Sequence, residues 1–239
     1  MVISVEEKLM YEVMKTLYDS GIPMDFKGSM VLKALLIEVG FSEETRHTVD
    51  IDANWYSDEA PSAKRMVESI QNALDNNGIL LEASIYRMYG EGRSAGFELM
   101  DKGTEEVLFT MDVDVNRPAV PTKIYEIEGI KFSGVTASQI LADKISVIST
   151  NKVFRRIKDV VDLYYLSKVV EFDIKDVLRT MDNSGRKLGD FEGFINRIDD
   201  LRHSYEKFRF SGGVNKPLFE DVYQSVKEYI GELIPSNRQ

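Results

Sequence analysis

The 239-residue sequence contains no cysteine. That absence excludes disulfides, zinc sites built on thiolates and a cysteine nucleophile. Histidine is nearly absent too, since His47 and His203 are too few for a histidine-rich zinc site and lack the spacing of a catalytic triad. No apolar run approaches the ~20 residues that span a bilayer. The first ten residues are acidic where a signal peptide would be basic. These absences favour a cytoplasmic protein.

Positive charge is also scarce, because 30 Lys and Arg face 40 Asp and Glu and leave a net charge of −10. A strongly acidic chain is not a general nucleic-acid binder, since phosphate neutralisation needs Lys and Arg. All of the acidic excess lies before residue 137, where 24 acidic side chains outnumber 13 basic ones. Residues 137–216 are mildly basic, with 15 Lys and Arg against 12 Asp and Glu, and permit a local anion site, although ordinary surface charge would give the same balance.

Before about residue 135, the spacing of hydrophobic residues alternates between the period of a helix and that of a strand. After that point it follows the helical period alone. Before that point the pattern predicts a helix that begins at a Ser4 capping box, further helices over 30–39 and 62–77, and strands over 48–55, 79–89, 95–100, 105–116 and 123–133. After it, helices are expected over 137–150, 151–169, 173–182, 188–208 and 217–233. The sequence therefore predicts an α+β fold with a mixed or antiparallel sheet and flanking helices over 1–135, followed by a helical bundle over 136–239.

Two pairs of aspartates are candidate metal ligands. Asp50 and Asp52 lie two apart on a predicted strand, so both carboxylates face the same way and repel each other unless a cation lies between them. Asp112 and Asp114 repeat the arrangement on a later strand. Such hard oxygen ligands suit Mg²⁺ or Mn²⁺. The plainer interpretation is an acidic outer face on each strand.

Gly28 and Ser29 stand directly before the second predicted helix. Glycine allows a ligand to approach the backbone closely, and serine at a helix start offers its hydroxyl and amide to a phosphate. A simple serine N-cap explains the same pair. The order favours the functional interpretation, because a phosphate-binding helix start would then lie beside a metal-binding strand.

The helical half contains one informative segment. Arg155, Asp159 and Asp162 are spaced to share a helix face, and Lys144 lies on the preceding helix. Lys144 and an arginine are expected to contact a triphosphate, with Asp159 or Asp162 orienting the lysine. The alternative is an intrahelical ladder of salt bridges, worth a few tenths of a kcal/mol.

Taken in order, these motifs resemble the polymerase β-like nucleotidyltransferase superfamily. The segments FKGSMVLK, RHTVDID, MDVDVN, LADKI and RRIKDVVDLYYL resemble more closely the AbiEii/AbiGii toxin family of nucleotidyltransferases. The resemblance covers about residues 24–168. Arg46 and Thr48 match the family's Arg-x-Ser/Thr pattern before the paired aspartates. After about residue 170 no motif matches, so the acceptor substrate stays open.

The resemblance implies a role for each matching residue. Gly28 and Ser29 would bind the triphosphate, which the charged helix face described above also predicts for Lys144 and Arg155. Asp50 and Asp52 would hold the metal, with Asp114 as the third carboxylate and Asp112 as its neighbour. The family's essential lysine would be Lys144, contributed by the helical domain, and its later catalytic aspartate would be Asp159 or Asp162.

The resemblance also implies an activity. A Mg²⁺- or Mn²⁺-dependent enzyme would transfer NMP from NTP to an RNA, including tRNA, or to a protein, as the toxin of a toxin–antitoxin or abortive-infection system with a cognate antitoxin protein. One alternative is a non-catalytic nucleotide- or partner-binding module on the same fold. Another is a metal-dependent phosphohydrolase, which would leave Gly28, Ser29 and Lys144 unexplained.

Overall fold

The computed structural model describes residues 3–90, 94–115, 118–210 and 215–234. The chain forms two compact units. The described residues up to Glu38 and those of Thr48–Thr136 belong to the first unit, and those of Val39–His47 and from Ala137 onward belong to the second. The segment 39–47 lies within the range predicted from the sequence for the first domain, 1–135. None of the helices in the described ranges has the length and apolarity that a membrane crossing requires.

The first unit combines three helices with seven strands among its described residues. The helices are α1 (Val5–Asp19), α2 (Gly28–Glu38) and α3 (Ala63–Asn76). The strands are β1 (Met24–Lys27), β2 (Asp50–Trp55), β3 (Leu81–Tyr89), β4 (Ser94–Asp101), β5 (Val107–Asp114), β6 (Thr122–Ile127) and β7 (Ile130–Val135). The predicted capping box is present, since the Ser4 hydroxyl accepts from the Glu7 amide and the Glu7 carboxylate accepts from the Ser4 amide.

The strands form one sheet in the order β3-β4-β5-β2-β1-β7-β6. β2 runs parallel to β5, and β1 runs parallel to β7, whereas the other neighbours are antiparallel. The mixed sheet of the predicted α+β fold is therefore confirmed. The strands β2 and β5, which carry both aspartate pairs, are direct neighbours in it.

Alternation along the strands gives the sheet one apolar and one polar face. Phe26, Ile51 and Met111 are fully buried on the apolar face, and helices α1, α2 and α3 pack on the sheet. Tyr11 of α1 stacks on Phe132 of β7 with ring centroids 5.7 Å apart. The aspartates of β2 and β5 alternate with these buried residues and lie half-buried on the polar face.

The second unit is helical. Its helices are α4 (Ala137–Ile148), α5 (Ile157–Ser167), α6 (Ile174–Asn183), α7 (Glu192–Asn196), α8 (Ile198–Lys207) and α9 (Phe219–Tyr229), with short 3₁₀ turns at Val153–Arg156 and Gly231–Leu233. α4 packs against α5 and α6, and α5 packs against α9. This arrangement matches the predicted helical bundle.

Several element boundaries differ from the prediction for local reasons. The four-residue β1 was not predicted, because it is too short to show a period of two. The predicted strand 123–133 is a hairpin, since Glu128 and Gly129 both adopt positive φ and form its two-residue turn between β6 and β7. The predicted helix over 151–169 begins instead with a 3₁₀ turn, and the one over 188–208 divides into α7 and α8.

Candidate functional site

The junction between β1 and α2 is built around Gly28. Its φ of +71° lies in the left-handed region that side chains disfavour. A Cβ at this position would overlap the carboxylate of Asp52 and lie 3.0 Å from its Cγ. Glycine is therefore required twice here, once for its backbone angle and once to leave space for Asp52.

The same junction opens the first turn of α2, at Gly28 and Ser29. The first amide groups of a helix have no partner within the helix, and together with the helix dipole they favour an anion. The first turn of α2 itself contains no acidic residue. Packing against Gly28 brings the carboxylate of Asp52 to this anion-binding end.

On β2, Asp50 shares the polar face with Asp52. The Thr48 hydroxyl donates to Asp50 Oδ1 over 2.8 Å, which fixes the orientation of that carboxylate. Thr48 is the threonine of the Arg-x-Thr pattern, and this hydrogen bond shows that it positions an aspartate.

The strand register distinguishes the two aspartates of β5. Asp112 lies beside Asp52. Asp114 lies beside Asn54, two residues further along the two strands. Arg87 of β3 forms an ion pair with Asp112, and the Tyr86 hydroxyl donates to Asp112 Oδ1 over 3.2 Å.

Asp114 is held from the opposite side by Lys27. The Lys27 ammonium donates to Asp114 Oδ2 and to Asn54 Oδ1, both over 2.8 Å. Lys27 therefore reaches from β1 across β2 to β5. Lys27 stands directly before Gly28 in the sequence, but no role was predicted for it. No pattern in the sequence predicted the contacts of Tyr86 and Arg87 with Asp112.

A divalent cation fits this set of donors. Within the described residues, no three Asp, Glu or His side chains are grouped closely enough to hold a metal ion by themselves. Mg²⁺ commonly binds through one or two carboxylates and takes its remaining ligands from water and substrate phosphates. Asp50 and Asp52, next to an anion-binding helix end, supply that minimum.

The second unit contains a buried ionic cluster. The Lys144 ammonium donates to Asp162 Oδ2 over 2.6 Å and to Asp159 Oδ1 over 3.3 Å. Arg46 binds Asp162 in a bidentate manner, with Nε 2.7 Å from Oδ1 and Nη2 2.9 Å from Oδ2. Asp162 is only 1% exposed, so the cluster replaces its water shell with two cations.

Charge sets the pKa values within this cluster. Burial would raise the pKa of Asp162, but the positive charges of Arg46 and Lys144 outweigh it and lower the pKa below its usual range. Burial likewise would lower the pKa of Lys144, but Asp162 and then Asp159 raise it. Asp162 is therefore a carboxylate and Lys144 an ammonium at neutral pH.

Arg155 lies outside this cluster. It is exposed in the 3₁₀ turn that precedes α5, with its guanidinium carbon 5.8 Å from the Phe154 ring centroid. Arg156 instead contacts the cluster, since its Nε donates to Asp159 Oδ2 over 2.8 Å. The predicted helical spacing fails at Arg155 because α5 begins only at Ile157.

Comparison with known proteins identifies a family and a shared fold. A family model described as "Nucleotidyl transferase AbiEii toxin, Type IV TA system" matches residues 17–225. No curated protein matches the sequence. Among solved structures, the nucleotidyltransferase toxin MenT4 from Mycobacterium tuberculosis H37Rv superposes with a TM-score of 0.63 at 16% identity, over 98% of this chain and 84% of MenT4.

A second solved structure is an antigenic nucleotidyltransferase-like protein from Paracoccidioides brasiliensis. It has a TM-score of 0.49 and 14% identity, over 87% of this chain and 95% of the other. At 16% identity, the match to MenT4 shows a shared fold.

Substitution of Gly28 by alanine tests the packing of Asp52. Gly21 has a similar φ of +68° with no atom within 4 Å of an added Cβ, so Gly21→Ala is the matched control. Both variants should lose about 1–2 kcal/mol for the left-handed backbone, and Gly28→Ala a further ~1–3 kcal/mol for overpacking. Urea unfolding measures both losses, and equal losses would contradict the proposed contact.

Substitution of Asp162 by asparagine tests the buried cluster. Removing one charge should destabilise the protein by about 3–5 kcal/mol at pH 7. The exposed pair of Asp176 with Arg179 supplies a control, since Asp176→Asn should cost less than ~1 kcal/mol.

The effect of Asp162→Asn should depend on pH with a definite sign. Because the folded pKa is depressed, the stabilisation by Asp162 is complete above the unfolded pKa of about 4 and is lost as pH falls toward the folded value. The difference in unfolding free energy between wild type and variant should narrow from pH 7 to pH 3. A difference that stayed constant over this range would refute the charge assignment.

Proposed function

The chain belongs to the AbiEii nucleotidyltransferase toxin family, and from that premise we propose that it transfers a nucleoside monophosphate from an NTP to an acceptor hydroxyl. The observation that carries this proposal is the contact between Gly28 and Asp52. It places the start of α2, which suits phosphates, against a strand carboxylate, which suits a cation. A substrate that is a cation–polyphosphate complex needs both groups side by side.

Each residue of this site has a defined task. The first amides of α2 and the Ser29 hydroxyl bind the terminal phosphates and hold the pyrophosphate as it leaves. Asp50, oriented by Thr48, and Asp52 would hold Mg²⁺ or Mn²⁺. A cation held there would supply charge neutralisation and would lower the pKa of the attacking hydroxyl. The protein contributes positioning and preorganised charge, which account for most of the catalysis in phosphoryl chemistry.

We assign the third carboxylate to Asp112 ahead of Asp114. Both aspartates pair with a cation, Asp112 with Arg87 and Asp114 with Lys27. The register distinguishes them, because Asp112 lies directly beside Asp52 whereas Asp114 lies beside Asn54. The resemblance favoured Asp114 with Asp112 as its neighbour. The proposed task of Asp114 is to hold Lys27 across β2.

The ionic cluster of the second unit is included in the proposal. The resemblance implies an essential lysine and a later aspartate, and Lys144 contacts both Asp159 and Asp162. The shorter contact is with Asp162, which favours Asp162 as the orienting carboxylate. Arg155, which was expected to bind nucleotide, lies apart from these residues and is given no role.

The biological role follows from the family. We propose that the chain is the toxin of a toxin–antitoxin system, with a cognate antitoxin protein, an NTP donor and an RNA or protein acceptor. The type IV description of the family model supports this assignment.

A transfer assay tests the proposed activity. Each of four α-³²P-labelled NTPs is incubated with Mg²⁺, total cellular RNA and total protein. Wild type should label one class of acceptor, and Asp52→Ala should lower the rate by at least about 100-fold, because a metal ligand is lost. Glu126→Gln, which changes an exposed carboxylate on the edge strand β6, should retain full activity. Full transfer by Asp52→Ala would refute the proposal, and NTP binding without transfer would indicate a binding module.

The same assay discriminates between the two aspartates of β5. Asp112→Asn should lose activity as Asp52→Ala does, whereas Asp114→Asn should retain more of it. If Asp114→Asn lost more activity than Asp112→Asn, the third carboxylate would be assigned to Asp114 instead.

Substitution of Lys144 by methionine tests whether the cluster serves the reaction as well as the fold. Transfer should fall by about 100-fold or more, while Lys168→Met, which removes a lysine pairing with Glu43 in the same unit, should leave transfer intact. Thermal unfolding of both variants identifies the fraction that is folded. Normal transfer per folded molecule of Lys144→Met would restrict Lys144 to a structural role.

A further inference from the structure

The edge strand β3 is irregular at the point where it faces the aspartates of β5. Its pairing with β4 shifts between Ile85 and Arg87, so that Tyr86 is an extra residue in the ladder opposite Gly96. Bulges of this kind bend a strand and redirect side chains, and they are common beside active sites. Here the bulge turns two consecutive side chains, those of Tyr86 and Arg87, toward Asp112.

Gly96 makes this arrangement possible. A Cβ at Gly96 would overlap the Tyr86 ring and lie 2.7 Å from Asp112 Oδ1. The absence of that side chain lets the ring of Tyr86 lie over the backbone of β4. Its hydroxyl then reaches Asp112 on β5, one strand further on.

Tyr89 completes a small aromatic and cationic surface. The Arg87 guanidinium carbon lies 5.2 Å from the ring centroid of Tyr86 and 5.6 Å from that of Tyr89. The ring of Tyr89 is half-buried on the same strand, two residues after Arg87. Tyr86 is 40% exposed, and the side chain of Arg87 is 52% exposed. Planar groups are therefore open to solvent beside the proposed metal site.

The direction of the proposed reaction assigns this surface to the acceptor. In-line displacement places the attacking hydroxyl opposite the leaving pyrophosphate. The pyrophosphate is held at the start of α2, directly after β1, and the sheet order from β1 is β2, β5, β4, β3. The acceptor then approaches from the side of β5, and its following residues extend over β4 to β3. At about 4.8 Å per strand, β3 is roughly 14 Å from β2.

We propose that Tyr86, Arg87 and Tyr89 form a base-stacking subsite for the unpaired end of a nucleic-acid acceptor. The inference rests on the proposed function and names the acceptor class. Unpaired bases stack on tyrosine rings and on guanidinium planes, and Arg87 adds positive charge for the backbone phosphates. A protein acceptor would present a single hydroxyl and would not need a series of planar partners.

Binding of single-stranded RNA tests the subsite without requiring turnover. The probe is a 5′-fluorescein-labelled oligoribonucleotide of about ten nucleotides, within the usual site size for single strands. A second probe of equal length and charge has abasic residues at its last three positions. Fluorescence anisotropy with Mg²⁺ compares wild type, Tyr86→Leu and Tyr86→Phe. Met88→Ala is the control, because Met88 lies on the same strand, is 64% exposed and alternates away from the aspartates.

Wild type should bind the intact probe about tenfold more tightly than the abasic probe, the effect of one stacked base. Tyr86→Leu should weaken binding of the intact probe about tenfold and leave binding of the abasic probe unchanged. Tyr86→Phe keeps the ring, and together with Met88→Ala it should bind like wild type. In the transfer assay, Tyr86→Leu should raise the KM for the acceptor and leave the KM for NTP unchanged.

Equal binding of the two probes by wild type would overturn the subsite. Wild-type affinity of Tyr86→Leu for the intact probe would also overturn it, as would a Tyr86→Leu variant in which only the KM for NTP is raised. Transfer to protein that Tyr86→Leu leaves intact would reject the subsite while the proposed function stands. Base-dependent binding without any transfer would reject the proposed function and support the subsite.

Discussion

The carboxylate of Asp52 occupies space that any side chain at position 28 would fill. This contact joins the end of β1, the start of α2 and the middle of β2, and it demands a left-handed glycine at the junction. Much of the site geometry follows from it. The polar face of the sheet, the register of β2 with β5 and the direction of α2 together bring anion-binding amides and carboxylates to one place.

The aspartates on the polar face are balanced by cations of the same sheet. Lys27 reaches across β2 to Asp114, and Arg87 reaches across β4 to Asp112. These contacts let a set of like charges coexist on neighbouring strands, where they would otherwise repel each other. They also fix the orientation of both carboxylates. In the second unit, Arg46 and Lys144 serve Asp162 in the same manner.

Local patterns in the sequence predicted much of this arrangement. Gly28 before an apolar helix, Asp50 and Asp52 on a strand and the change of period near residue 135 each depend on neighbours along the chain. The contacts of Lys27 with Asp114 and of Arg46 with Asp162 join residues 87 and 116 positions apart, so no local spacing reveals them. The bulge at Tyr86 depends on Gly96 in the next strand. Arg155 was grouped with Asp159 on the assumption of one continuous helix, which the 3₁₀ turn interrupts.

The most direct test of the central claim is a crystal structure of the protein with Mn²⁺ and a non-hydrolysable NTP analogue. We expect an anomalous manganese peak in bonding contact with the carboxylates of Asp50 and Asp52, with the triphosphate against the first turn of α2 at Gly28 and Ser29. Manganese bound away from both aspartates, or a triphosphate remote from the start of α2, would contradict it.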